Sequence, residues 1–209
     1  MHTPNAVPAV SEVRDLRREE IAAAVVLLAR GMLDNPLNVA AHGPDRERRR
    51  RALERMFATL FAVFEQRPLC ALDGGALVGV AGVAPVGTCQ ASALQRLRFL
   101  PTVIALGPRT TARVSSWLAA WGRHDPARSH SHLGPVAVEQ ELRGRGIGSE
   151  LLREHTRRLD AAGEVSHLET DKRENVGFYQ RHGYAVVGED EVIGVPNWFM
   201  LREPATVSA

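Results

Sequence analysis

Apolar and polar residues alternate along this chain in two rhythms, one helical and one strand-like. Residues 19–32 (EEIAAAVVLLARGM) form an apolar stretch that opens on acids and closes near Arg30, the charge order a helix dipole favours, and Pro36 is expected to stop it. A short strand over 10–16 precedes it. Pro44-Asp45 opens a second helix, in which Leu53, Met56, Phe57, Leu60, Phe61 and Phe64 recur at helical spacing until Pro68. Two short apolar runs, 69–72 and 76–84, flank Asp73-Gly74-Gly75 and predict a hairpin. Residues 88–100 and 110–121 read as two helices parted by Pro101 and Gly107-Pro108, a lid or wall on one side of a sheet.

From Ser131 the order becomes strand (132–138), glycine-rich turn, helix (147–162), strand (165–170), helix (175–182), strand (184–193) and a last strand over 198–202. This alternation predicts an α/β chain with a central mixed sheet of six or seven strands. Helices cover both faces, with a helical insertion (88–123) before the strand at 132–138. A single domain over 9–203 is expected between an N-terminal tail (1–8) and a C-terminal tail (204–209).

Composition narrows the function. The 209 residues are 24% charged, so disorder throughout is excluded, and the net charge of +2 leaves no one-sided basic field for nucleic acid. Of the 26 basic residues a single one, Lys172, is lysine. The dense run Arg46-Glu47-Arg48-Arg49-Arg50-Arg51 lies inside a helical pattern and reads as a solvated face. Cys70 and Cys89 fit neither a C-x-x-C nor a metal-ligand spacing and read as reduced, packed thiols. Neither a membrane-length apolar run nor a signal-peptide start is visible, so a cytoplasmic protein with no membrane partner is expected.

The most informative stretch runs from Val136-Ala137-Val138 through Glu139-Gln140-Glu141-Leu142 to Arg143-Gly144-Arg145-Gly146-Ile147-Gly148-Ser149. It follows an apolar strand and opens a helix whose inner stripe is Leu151, Leu152, His155 and Leu159. Glycines expose backbone N–H groups at a helix N-terminus, where the dipole favours an anion. The cradle suits a pyrophosphate, and Arg143 and Arg145 flank it; a tight turn without a ligand is the competing reading. A P-loop needs a Gly-Lys pair that is missing. A dinucleotide fingerprint needs a third glycine where Ser149 stands.

These residues resemble the GCN5-related N-acetyltransferases, the GNAT superfamily. Arg143-Gly144-Arg145-Gly146-Ile147-Gly148 fits the family's [RQ]-x-x-G-x-[GA] signature. Leu168-Glu169-Thr170, Asn175 and Phe178-Tyr179-Gln180-Arg181-His182-Gly183-Tyr184 are similar to its second segment. The likeness covers about residues 130–203. With Pro196-Asn197-Trp198-Phe199-Met200, it is similar to the branch that holds puromycin-type small-molecule acetyltransferases.

The resemblance implies that strands 132–138 and 165–170 splay and admit the pantetheine of acetyl-CoA. Val136, Ala137 and Val138 line the first strand, and Pro135, with no N–H, suits an edge that faces a cofactor. The backbone from Arg143 to Ser149 is implied to hold the pyrophosphate, with Asn175 and Phe178 along the pantetheine arm. Arg173 or Arg181, near Lys172, are expected at the adenosine end.

Acetylation of an amine requires a neutral nucleophile, and at a pKa of about 10.4 only roughly one lysine-like amine in 10³ is neutral at pH 7. Tyr179 is the candidate acid for the departing thiolate, with a packed core tyrosine as the other reading. Glu169, mid-strand among apolar residues, is the leading candidate base or amine-binding carboxylate. His132 is a second, His130 shares its expected face, and His167 lies two residues before Glu169. Acceptor specificity is expected from residues 33–42, the inserted helices and the turn before Trp198. Trp117, Trp121 and Trp198 are candidate pocket walls or core residues. No spacing suggests a metal. The expected activity is transfer of acetyl to a small-molecule amine by a monomer or homodimer. Acetylation of a protein or peptide, and a non-catalytic acyl-CoA-binding module, are the alternatives.

Overall fold

The computed structural model describes residues 10–88 and 91–205, so the expected N-terminal tail and Cys89 lie outside the described residues. Seven strands form one sheet: β1 (Glu12–Asp15), β2 (Leu69–Asp73), β3 (Ala76–Ala84), β4 (Ser131–Val138), β5 (Ser166–Thr170), β6 (Ala185–Val192) and β7 (Val195–Arg202). Their order is β1-β2-β3-β4-β5-β7-β6, and every neighbouring pair is antiparallel except β4 and β5.

The helices are α1 (Ile21–Gly31), α2 (Pro36–His42), α3 (Arg46–Val63), α4 (Ala93–Ile104), α5 (Pro108–His124), α6 (Ile147–Ala162) and α7 (Arg173–Gln180). Pro36, expected only to stop a helix, instead starts α2, where its missing N–H costs nothing. Asp45 caps α3 by accepting the Arg48 N–H at 3.0 Å. Ser92 and Gln95 form a reciprocal capping box at the start of α4. Pro101 lies inside α4 and does not end it. Among the described residues, no helix is long and apolar enough to cross a membrane.

On one face α6 packs over β1–β4 and α7 over β5 and β6. The core there gathers Ile147, Leu151, Leu152, Leu168, Tyr179, Tyr184, Trp198 and Met200. On the other face α1 covers β3 and β4, burying Leu27, Leu28, Val80 and Ala137. Helices α2 and α5 pack there beside Phe199, Val192 and Val195. Gly31 ends α1 against β4 so closely that a Cβ would stand 2.6 Å from that of Ala137. The three tryptophans therefore form no common wall, because Trp198 belongs to the α6 face whereas Trp117 and Trp121 pack with Phe199 on the opposite one.

Arg49 departs from the solvated-face expectation. Its side chain is 3% exposed and donates to the carbonyls of Leu33 (2.6 Å) and Gly43 (2.5 Å) and to Asp34 (3.0 Å), tying α3 to both ends of α2. Arg46, Arg50 and Arg51 pair with Asp34, Glu47 and Glu54.

Candidate active site

Parallel β4 and β5 share only two rungs, Ser131 with Ser166 and His132 with His167. Beyond them β4 runs on to Val138 and β5 to Thr170 with no further pairing, so a gap opens in the centre of the sheet. A register shift in the β3–β4 ladder helps to shape it. Gly82 sits opposite Gly134 and Pro135, and a Cβ there would lie 2.8 Å from the Gly134 carbonyl oxygen.

Strand residues point their backbone groups alternately left and right. The Glu139 N–H bonds the Val78 carbonyl on β3 at 2.9 Å, so the backbone groups of Val138 and Val136 turn the other way, into the gap. Ala137 does not join them. Its backbone faces β3 and its side chain is buried under α1, because the alternation that exposes its two neighbours turns it away.

At the mouth of the gap the glycine turn meets α6. Gly144 (φ +79°) and Gly146 (φ +85°) adopt left-handed backbone that an L side chain would strain. The α6 ladder begins with the Glu150 N–H on the Gly146 carbonyl, and no side chain caps the helix. The N–H groups of Ile147, Gly148 and Ser149 thus point out of the first turn without a backbone acceptor among the described residues. The Arg143 and Arg145 N–H groups are engaged by the carbonyls of Gln140 and Leu142, which narrows the cradle to the amides of Gly144 and of Gly146 through Ser149. The Arg143 guanidinium binds the Gly31 carbonyl at 2.9 Å, whereas that of Arg145 makes no ion pair among the described residues. Phe178 closes the side of the cradle, 3.3 Å from where a Cβ of Gly148 would stand.

Tyr179 points from α7 into the core, edge-on to Phe178 and Tyr184. Burial, reinforced by the Asp171 carboxylate, raises its pKa above the ordinary phenol value, so it holds its proton at neutral pH. Asn175 donates to Thr170 Oγ1 at 3.3 Å, bracing the end of β5. Arg173 lies over the Trp198 ring, 5.7 Å from its centroid.

On the opposite face His132 Nε2 stands 2.6 Å from Glu169 Oε2. Burial opposes a charge on His132, but the Glu169 charge and hydrogen bond outweigh it and raise the His132 pKa above 6.5. Burial likewise opposes a charge on Glu169, and His132 overcomes it and lowers the carboxyl pKa. Across this hydrogen bond each partner favours the charged form of the other. His130 is held elsewhere, 3.0 Å from Asp125 and with its Nδ1 against the Arg128 carbonyl. Burial pushes His167 down to about 4, and Glu169 offsets only part of this.

Asp171 had no signal in the sequence. From the end of β5 it accepts the Leu37 N–H at 2.8 Å and pins the start of α2 to the sheet, while burial raises its pKa. Only the long-range pairing reveals that role.

The acetyltransferase (GNAT) domain model matches residues 113–186. An 80-residue segment is 30% identical to the peptidyl-lysine N-acetyltransferase YjaB of Salmonella typhimurium, covering 36% of this chain and 54% of that protein. The chain thus spans about half the length of that curated relative. The fold is similar to that of a histone acetyltransferase HPA2 and related acetyltransferase from Corynebacterium glutamicum, at 20% identity and a TM-score of 0.67 over 96% of this chain and 99% of that one. It is also similar to that of a Drosophila melanogaster polyamine N-acetyltransferase, at 15% identity and a TM-score of 0.58 over 92% and 99%. The model match lies across β4, α6, β5 and α7 and the architecture is shared over nearly the whole chain, so the protein has the fold of the GNAT acetyltransferases.

Proposed function

We propose that the protein is an acetyl-CoA-dependent N-acetyltransferase that acetylates a small-molecule amine by direct attack within a ternary complex. The observation that carries this reading is the gap between β4 and β5, with an uncapped glycine turn at its mouth and the His132–Glu169 pair on its other face. Acetyl-CoA supplies an activated thioester. The amides of Gly144 and of Gly146 through Ser149 hold its pyrophosphate, with Arg145 as a direct charge. The backbone of Val136 and Val138 aligns the pantetheine, and the Val136 N–H polarises the acyl carbonyl. Phe178 and Asn175 flank the arm.

Glu169 attracts the cationic amine, and His132 in its neutral form takes the amine proton. The neutral amine nitrogen then bonds to the acyl carbon as the carbon–sulfur bond breaks, and the second proton shed by the new amide nitrogen passes to solvent, from which the Tyr179 phenolate is later reprotonated. Tyr179, protonated because it is buried, gives its proton to the leaving thiolate. The formation of N-acetylagmatine by the Drosophila neighbour supports a small amine acceptor. The peptidyl-lysine activity in the name of the Salmonella relative favours a second reading, in which the acceptor is a lysine side chain. A screen that reads released CoA thiol against polyamines, other small amines and lysine peptides separates the two. Turnover confined to peptides overturns the small-amine reading, and turnover with no acceptor leaves only acyl-CoA binding.

A further inference from the structure

The fold gathers two histidines and a carboxylate that a scan of residue spacing does not connect. His132, His167 and Glu169 each bring one ligand-type atom within 4.8 Å of the others. His167 Nδ1 lies 3.6 Å from Glu169 Oε1, and His132 Nε2 lies 2.6 Å from Glu169 Oε2. Ligand atoms around a tetrahedral zinc ion, with bonds of about 2.0–2.1 Å, stand about 3.3 Å apart, so the cluster closes on an ion with side-chain shifts on the order of 1 Å.

His167 supplies an independent reason to look for a ligand. Its side chain is 0% exposed, yet neither ring nitrogen has a hydrogen-bond partner. An unpaired buried polar atom is costly, and a metal ion would satisfy one of the two. His132, by contrast, is 25% exposed and gives a route in from the gap.

We propose that His132, His167 and Glu169 form a binding site for a divalent transition-metal ion of the zinc class, and that occupancy blocks acetyl transfer. Two imidazoles and one carboxylate suit zinc better than magnesium or calcium, which favour all-oxygen sites. Binding replaces the His132–Glu169 hydrogen bond and engages the lone pairs that the transfer reaction needs. A second set, Asp125, His130 and His167, shares the His167 ring. It lies off the gap, and its His130 and Asp125 already hold each other at 3.0 Å. The blocking effect rests on the proposed acetyltransferase reading, whereas the binding does not.

The test titrates zinc into untagged, chelator-treated protein by calorimetry and uses cobalt as a visible-absorption probe of coordination. One ion per chain is expected. Glu169→Gln and His167→Phe should each weaken binding by more than about tenfold, because even outer partners of metal ligands are worth ten- to hundredfold. Circular dichroism reports whether each variant folds, and if His167→Phe does not, Glu169→Gln alone decides. No saturable binding tighter than about 1 mM overturns the site. Loss of binding in Asp125→Asn with Glu169→Gln unaffected overturns the ligand assignment. Turnover of each variant is read with and without zinc, so that its own basal rate cancels. Binding without inhibition of an active enzyme overturns the block. Binding to a protein that acetylates nothing leaves the metal site standing and removes the acetyltransferase reading instead.

Discussion

His132 is the last residue of β4 to share a rung with β5, and Glu169, two residues beyond that rung, holds its imidazole at 2.6 Å across the opening gap. Parting of the strands is what lets the two side chains meet over the gap rather than stack in a ladder. The carboxylate both orients the ring and raises its pKa.

That coupling sets a pH dependence. His132 accepts a proton only when neutral, so turnover should rise with pH through a midpoint above about 6.5, the ordinary histidine value. Glu169→Gln removes the larger of the two charges that raise His132 and leaves burial, which lowers it, against the smaller effect of Asp125, so the midpoint should move to lower pH while maximal turnover falls. A pH–rate profile of both proteins checks this, and a midpoint that stays put in the variant would remove His132 from the proton path.

Tyr179→Phe keeps the ring that packs on Phe178 and Tyr184 and deletes only the hydroxyl. Turnover should fall by roughly 10²–10⁴-fold, the range for loss of a positioned acid, with the affinity for CoA little changed. Steady-state kinetics beside a CoA binding isotherm separates the two effects. Equal losses in both would make Tyr179 a packing residue.

Gly148→Val tests the cradle. Its Cβ would already stand 3.3 Å from the Phe178 ring, and the branched methyls would project into the turn where the pyrophosphate is assigned. At a ligand concentration about 100 times the dissociation constant, CoA should stabilise the native protein by about 2.7 kcal/mol, and the variant should lose most of that. Thermal unfolding with and without CoA measures it; an undiminished shift would move the phosphate site elsewhere.

Arg49 and Arg51 lie two residues apart in one basic run with opposite surroundings. Arg49→Leu deletes the donors to Leu33, Gly43 and Asp34 from a buried site and should cost about 3 kcal/mol. Arg51→Leu, at an exposed pair with Glu47, should change stability by less than about 1 kcal/mol. Urea unfolding of the two variants decides, and similar costs would mean that the buried contacts carry no special weight.

Local rules made some elements legible in the sequence and hid others. Helix α6 spans the predicted 147–162, because glycines bound it in left-handed conformations at Gly146 and Gly163 and its leucines repeat at helical spacing. Pro101 misled because proline usually ends a helix, and here α4 continues past it. The turn before Trp198 was expected, but it is tighter than the sequence suggested: β7 already starts at Val195, because Ile193, a β-branched residue at φ +46°, stands with Gly194 where asparagine or glycine is the normal signal. The burial of Arg49 was invisible inside a polar run. The glycine turn was readable as the start of α6 because it lies within one continuous segment. The His132–Glu169–His167 cluster, the part played by Asp171 and the turning away of Ala137 all depend on strand register, which a single sequence does not carry.

Stability should record the same pair. Unfolded, Glu169 titrates near pH 4.3 and His132 near 6.5, as a rough reference. The native Glu169 pKa is lowered, so its contribution is fully present above about 4.3 and disappears as pH falls through the native value. The native His132 pKa is raised, so its contribution is fully present below about 6.5 and disappears as pH rises through the native value. Both contributions are complete only between those limits. In Glu169→Gln neither is available. The free-energy difference between wild type and variant, from urea unfolding across the pH range, should therefore peak near pH 5–6 and shrink on both sides. A difference that keeps growing towards alkaline pH would show that Glu169 stabilises the fold through something other than the His132 ion pair.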